Sequence, residues 1–500
     1  MTAHVSAAGQ FLPHTSVHSA LLKQMPQVSQ PPYGFAAQSP MTGWKHSATN
    51  APLLINNLQR LQEEIAQEFP VRDIVVLGMG GSALGVRIFL DLYKQELKNL
   101  GVRVRVVDTT EPSSVRAILN DFDAAAGLVI VSSKSGGTIE PLCLSQIFFK
   151  YMSLTLGSDL AAAAHFISIS DENTVLSKRA DVQGWRGIIN TPPNVGGRFS
   201  VLTAFGLAPL VLAGIDPKVV VESAQDMQFL CLDIETDGCP ATQLADSIFQ
   251  NLRDGRDKFI IGYDEQSESF ARWLEQLVAE SLGKQGKGLI PLPMPMERAN
   301  RILALGHPDI QNIALAGLRP DVVGGDLLRW MFAIEKLATY LHLDPFDQPN
   351  VEAVKQSTRS SMNGCTEKSL NDYLEQLLST HRIASIDHMP NLIGPQSFIV
   401  LIAWTPEGDQ ARSSLEALAA DFEAHYKRPV VVAEGPHYLH ASGQLYKGGP
   451  NSGVFVTITQ ETTSDITIPE TNYSLRQLYR AAFNGDIEVM LSLGRKIVKL

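Results

Sequence analysis

Two short segments of this 500-residue chain concentrate groups suited to holding an anion. The first is Gly78-Met-Gly-Gly-Ser-Ala-Leu-Gly85, set between a short apolar run and a helix-like stretch over 86–93. Glycines let a backbone approach a ligand closely, and a helix beginning there offers free N–H groups with partial positive charge. The second is Ser132-Ser-Lys-Ser-Gly-Gly-Thr-Ile-Glu140, which combines hydroxyls, an ammonium and two glycines. A phosphate monoester calls for that set: hydroxyl and backbone donors plus a countercharge. Neither loop is a nucleotide signature. In the first, Ala83 stands where a GxGxxG fingerprint needs its last glycine, and no Gly-Lys-Ser/Thr follows. Alone, the first loop also reads as a tight strand-to-helix turn without a ligand, Ser135 as a helix N-cap and Thr138 as an interior turn residue. Together the loops point to phosphate, with Gly81, Ser82, Ser133, Lys134, Ser135 and Thr138 as candidate contacts.

The elements that must carry these loops are legible. Asp73-Ile-Val-Val-Leu77 reads as a buried strand stopping at glycines, followed by strand-like runs at 102–108, 127–132 and 165–170 with helix-length stretches between. Such alternation predicts a mainly parallel sheet wrapped by helices. After Gly214-Ile215-Asp216 a second alternating series begins, with strand-like runs at 258–262, 288–293, 397–404, 429–433 and 453–459. Residues 473–500 read as helical, with a break and cap at Asn484-Gly485-Asp486. Residues 1–50, rich in Ser, Gln, Pro and His, predict an extended arm with a short helix near 20–25.

Composition narrows the function classes. A chain 44% hydrophobic and 19% charged is globular, and its length suits about three domains or two large ones. With 41 Lys plus Arg against 52 Asp plus Glu, the net charge of −11 gives no basic excess for nucleic acid. Cys143, Cys231, Cys239 and Cys365 make no CxxC pair, which argues against structural zinc and a disulfide framework. Only Lys23 is basic in the first 40 residues and no early apolar block follows, so neither a signal peptide nor a membrane anchor is expected. The expectation is a reduced, cytoplasmic protein.

The pair GMGGSALG and SKSGGTIEP resembles the sugar isomerase domain, and the lysine within SKSGGT is typical of the glucose-6-phosphate isomerase family. Four more segments are similar to that family: Gly196-Gly-Arg-Phe-Ser200 to its GGRxS block, and Gln276-Leu-Val-Ala-Glu-Ser-Leu-Gly-Lys284 to QxxxESxGK. Phe346-Asp-Gln-Pro-Asn-Val-Glu-Ala-Val-Lys355 resembles FDQxGVExxK, and Leu439-His-Ala-Ser-Gly-Gln-Leu445 resembles QHxxxQL. Residues 439–451 and 473–500 look most like the isomerase half of bifunctional transaldolase/phosphoglucose isomerases, without a preceding transaldolase barrel. The chain departs from the family twice: Asn350 replaces a glycine, and the lysine motif precedes the histidine motif. The resemblance implies two sugar-isomerase-type α/β domains, 46–215 and 216–465, between an arm over 1–45 and a helical arm over 466–500.

It also implies an activity: reversible isomerisation of glucose 6-phosphate and fructose 6-phosphate, without metal or cofactor, in a homodimer with shared active sites. Moving a proton between C1 and C2 through a cis-enediol needs one base. Glu280 is that candidate, on a helix over 267–281 where Trp273 and Leu277 place it on the flank of the apolar stripe. Burial there would strengthen the carboxylate as a base. On pattern alone, a surface Glu280–Lys284 pair at i,i+4 is the stronger reading, and the resemblance reverses it. By resemblance Arg198 stabilises the enediolate, His440 opens the sugar ring, Lys355 holds the ring oxygen, and Gln276 and Gln348 bind substrate. His437 and His307 are rival histidines, and the reversed motif order leaves the choice between His440 and Lys355 open. Two other readings stand beside this one: a phosphosugar-sensing regulatory protein, and an isomerase that also accepts mannose 6-phosphate.

Overall fold

The computed structural model describes residues 3–5, 11–12, 41–232, 238–312, 315, 318–362, 367–380, 384–460 and 464–500. The short helix expected near 20–25 lies outside them. The chain divides into two compact units, one comprising residues 1–108, 121–241 and 316–332, the other 109–120, 242–315 and 333–500.

The first unit is built on a seven-stranded sheet. Its strands are β1 (Ala3–Val5), β2 (Phe11–Leu12), β3 (Asp73–Gly78), β4 (Arg103–Val107), β5 (Gly127–Ser132), β6 (Phe166–Ser170) and β7 (Gly187–Asn190), in the order β2-β1-β7-β6-β5-β3-β4. Every ladder is parallel except that between β1 and β2. Strands β3 and β5 are buried at every position, because helices such as Ser47–Glu68, Gly81–Leu92 and Ile139–Leu156 cover the sheet; hence continuous Val/Ile/Leu runs, not alternation. The chain leaves β3 for β4 on one side and returns to β5 on the other. Their shared carboxyl end is therefore a topological switch point, the place where open α/β sheets leave a crevice.

The second unit holds two parallel sheets. One joins β8 (Lys258–Tyr263), β9 (Ile290–Pro295) and β10 (Ile310–Asn312) in the order β10-β8-β9. The other joins β11 (Ala384–Ser385), β12 (Phe398–Trp404), β13 (Val430–Glu434), β14 (Gly453–Thr459) and β15 (Lys496–Lys499) in the order β11-β15-β14-β12-β13. One apolar core serves both: Ile260, Leu292 and Met294 of the smaller sheet cluster with Val400, Val431 and Phe455 of the larger.

The carboxyl-terminal region corrects one expectation. Helix Leu475–Ser492 runs through Asn484-Gly485-Asp486 without a break, started by a capping box between Ser474 and Gln477. These three residues are buried anchors. Asn484 donates to the Leu370 carbonyl at 2.8 Å, Asp486 accepts from Tyr438 and pairs with buried Lys447, and a Cβ on Gly485 would reach the Thr358 nitrogen at 3.0 Å. The polar, glycine-containing triplet that reads as a stop thus serves tertiary packing. Beyond the helix the chain turns into β15, so residues 496–499 are strand, not helix.

Candidate active site

In the first unit both glycine-bearing loops sit at the switch point, where Gly78 and Ser132 face each other across the β3–β5 ladder. Gly80, in a positive-φ conformation at +55°, turns the chain into helix Gly81–Leu92. A Cβ on Gly81 would lie 2.1 Å from the Gly197 carbonyl oxygen. Only glycine allows this loop to meet the single 3₁₀ turn, Gly197–Phe199, that carries Arg198. Arg198 is 2% exposed, with its guanidinium 5.9 Å from the Phe199 ring centre; Phe199 in turn stacks on Trp44. Ser82 is buried at the helix start.

On the second loop the hydroxyls of Ser132 and Ser133 are buried without a hydrogen-bond partner among the described residues. An unsatisfied buried hydroxyl is costly, and a ligand at the switch point would supply both with a partner. Ser135 accepts from the Gly137 N–H at 3.3 Å; Thr138, not Ser135, stands at the N-cap of helix Ile139–Leu156, and its hydroxyl makes no capping bond. Lys134 is turned inward. Its ammonium meets Asp171 at 2.7 and 2.8 Å and donates to the Pro192 carbonyl at 3.2 Å. Thr191 donates to the same Asp171 carboxylate at 2.7 Å. Lys134 and Asp171 thus tie the serine loop to the segment that leads to Arg198.

In the second unit, helix Glu268–Leu282 is buried without interruption from Trp273 to Leu282. Glu280 is 3% exposed. Its Oε2 accepts from the Gln276 amide at 3.2 Å and from the Gln348 amide at 3.4 Å; the Gln276 amide also donates to the His440 carbonyl at 2.8 Å. Four of the residues named from sequence therefore converge. The surface Glu280–Lys284 pair is overturned, since both residues are buried and the Lys284 ammonium goes elsewhere: to the carbonyls of Asp344 at 2.6 Å and Asp347 at 2.7 Å, and to the Asp347 carboxylate. Lys284 so fixes the loop that delivers Gln348. It stands within a motif quoted above, but its role depends on partners 60 residues onward.

Gln444 is a second such residue. It donates to the Gly283 carbonyl at 3.0 Å and to Asn350 Oδ1 at 2.8 Å, while the Asn350 N–H donates back to it at 3.0 Å. Asn350, the departure from the family's glycine, thereby gains a partner. Glu275, on the same helix as Glu280, is also buried; burial pushes its carboxyl up while Arg272 and Ser442 pull it down. Of the remaining candidates, Lys355 pairs with Glu352 at 2.7 Å on a partly exposed helix face, and His437 meets Glu407 at 2.6 Å. His307 is held below its ordinary pKa, first by burial and then by Arg428. Among the described residues no group of three or more His, Cys, Asp or Glu side chains is placed to hold a metal ion.

A parallel sheet with anion-suited loops at its switch point, in one chain with a second parallel-sheet unit holding a buried carboxylate, defines an α/β protein of the sugar-isomerase type. Residues 64–288, just under half of the chain, match the family model for phosphoglucose isomerase. A glucose-6-phosphate isomerase of Trichormus variabilis is 33% identical over 217 residues, which is 43% of this chain and 40% of that one. A probable glucose-6-phosphate isomerase of Methanococcus maripaludis is 31% identical over 255 residues, 48% of this chain and 54% of its own. The chain thus spans about half, or less, of the length of the curated relatives it matches. Among solved structures, a hypothetical protein from Thermus thermophilus shares the fold with a TM-score of 0.58 at 23% identity, covering 66% of this chain and 92% of that one.

Proposed function

We propose that the protein interconverts glucose 6-phosphate and fructose 6-phosphate, with Glu280 as the base that takes the proton from C2 of the aldose and returns it to C1 of the enediol. The observation that carries this reading is the Glu280 carboxylate, buried and oriented through one oxygen by two side-chain amides. Desolvation strengthens a carboxylate as a base, and fixed amide donors hold it in one rotamer, so little reorganisation precedes proton transfer. In this reading Arg198 receives the charge developing on the enediolate, and Ser82, Ser133, Ser135 and Thr138 receive the phosphate. Lys134 supports the phosphate loop through Asp171. His440 is assigned ring opening, because Lys355 is already paired with Glu352.

Although the reversed motif order and the Gln276–His440 bond favour a site built within one chain, family resemblance leads us to propose a cytoplasmic homodimer in which His440 acts on the partner's substrate. Mixed Glu280→Gln and His440→Ala subunits would then recover activity on subunit exchange. Glu280→Gln tests the central assignment. It keeps the shape of the side chain, so phosphosugar protection against thermal unfolding should persist while isomerisation falls at least about a hundredfold. Near-normal turnover in the folded variant would remove Glu280 as the base. Phosphosugar binding without isomerisation by the parent protein would support a sensing role instead, and mannose 6-phosphate in the same assay decides substrate breadth.

A further inference from the structure

The two thiols of Cys231 and Cys239 are unused by the chemistry above, yet they lie with their sulfurs 3.5 Å apart. Cys231 ends the last turn of helix Lys218–Leu232, and Cys239 directly precedes helix Pro240–Arg253. Both are reduced thiols here. They belong to the first compact unit, which the chain leaves just beyond, between Ala241 and Thr242. Cys239 is 7% exposed and Cys231 is half-buried, so Cys231 is the more exposed residue of the pair. Sulfur atoms at this separation are within a small side-chain rotation of the ~2.05 Å bond length of a disulfide. Disulfides in reducing compartments are mostly transient and redox-sensing, and such sensing thiols often stand next to a resolving thiol, as Cys231 stands next to Cys239.

We propose that Cys231 and Cys239 form a reversible dithiol–disulfide site whose co-reactant is a small-molecule disulfide. Cys231 loses its proton and its sulfur attacks the disulfide, forming a mixed disulfide and expelling one thiolate. Cys239 loses its proton and attacks the Cys231 sulfur, closing the internal bond and expelling the second thiolate, which leaves two protons for two released thiolates. The protein pair is oxidised by two electrons and the small disulfide is reduced to two thiols. Burial, followed by the neighbouring Cys239, pushes the Cys231 thiol up, while the Ala241 backbone contact opposes this; the attack is correspondingly slow at neutral pH.

The experiment exposes the folded full-length chain to oxidised glutathione, blocks remaining thiols, and maps the peptides by mass. Thiols counted after denaturation should fall from four to two, with the mass of the internally bridged Cys231–Cys239 peptide and no retained glutathione, and a dithiol reductant should restore all four. In Cys239→Ser, the resolving step is removed and glutathione should remain on Cys231. An unchanged count of four, a bridge involving Cys143 or Cys365, or persistent glutathione on parental Cys231 would each overturn the proposal. Peptide mapping of the parent decides the matter even if the serine variant fails to fold.

Discussion

Lys284→Met isolates the residue that links the buried carboxylate to its loop. The ammonium is 2% exposed and contacts the carbonyls of Asp344 and Asp347 and the Asp347 carboxylate. Methionine fills the aliphatic stem with little packing loss. Two carbonyls then lose a charged donor, at about 1 kcal/mol each. The Asp347 side chain is 52% exposed and can rehydrate, so its share is ~0–1 kcal/mol. No longer burying an ammonium offsets part of the sum. The expected net destabilisation is about 2 kcal/mol, read from urea unfolding followed by tryptophan fluorescence. Since Gln348 sits one residue beyond Asp347, its 3.4 Å contact with Glu280 should be lost and turnover should fall roughly tenfold, about 1.4 kcal/mol in the barrier. Asp347→Asn, which leaves both carbonyl contacts, should cost less than half as much. A stability within about 0.5 kcal/mol of the parent, or equal costs for both variants, would refute the reasoning.

Three further outcomes are expected. Gly81→Ala gains up to about 1 kcal/mol of helix propensity but drives a Cβ to 2.1 Å from the Gly197 carbonyl, so thermal stability should fall by a net ~1–2 kcal/mol and activity with it; a stabilised, active variant would contradict the close approach. Asp171→Asn should weaken protection by inorganic phosphate, as Lys134→Met should, because the first breaks the Lys134–Asp171 pair and the second breaks both that pair and the bond to Pro192; stronger phosphate binding in Asp171→Asn would show that Lys134 is a clamp held back by its partner. His165 is held below its ordinary pKa, first by burial, with Nδ1–H donated to the Gly127 carbonyl at 2.7 Å, beside Phe69, Arg186 and Glu68. Its neutral form is thus favoured in the folded state: the contribution is full above the unfolded pKa of about 6.5 and lost as pH falls through that value toward the lowered one. Unfolding free energies of the parent between pH 7 and 5 should therefore fall more steeply than those of His165→Gln, and parallel slopes would dismiss the linkage.

Strands β3 and β5 were legible to within a residue because fully buried parallel strands are written as continuous apolar runs, closed here by glycine at the end of β3 and by serine at the end of β5, and both anion loops follow directly from where those runs stop. The helix bearing Glu280 was also legible, since its period is local. What the sequence alone could not decide is partner choice. Lys284 reads as the i+4 neighbour of Glu280, but the helix ends at Leu282, Lys284 is buried beyond it, and the carbonyls of a loop 60 residues away accept from its ammonium instead. Lys134 reads as a free phosphate countercharge until β6 ends at Ser170 and brings Asp171 beside it. Asn484-Gly485-Asp486 reads as a stop because its composition is that of a turn, whereas burial against Tyr438, Lys447 and Leu370 gives its polar side chains partners and lets the helix continue. Periodicity encodes which face of an element turns inward. Which distant group it meets there depends on how the sheets close, and that belongs to the tertiary structure alone.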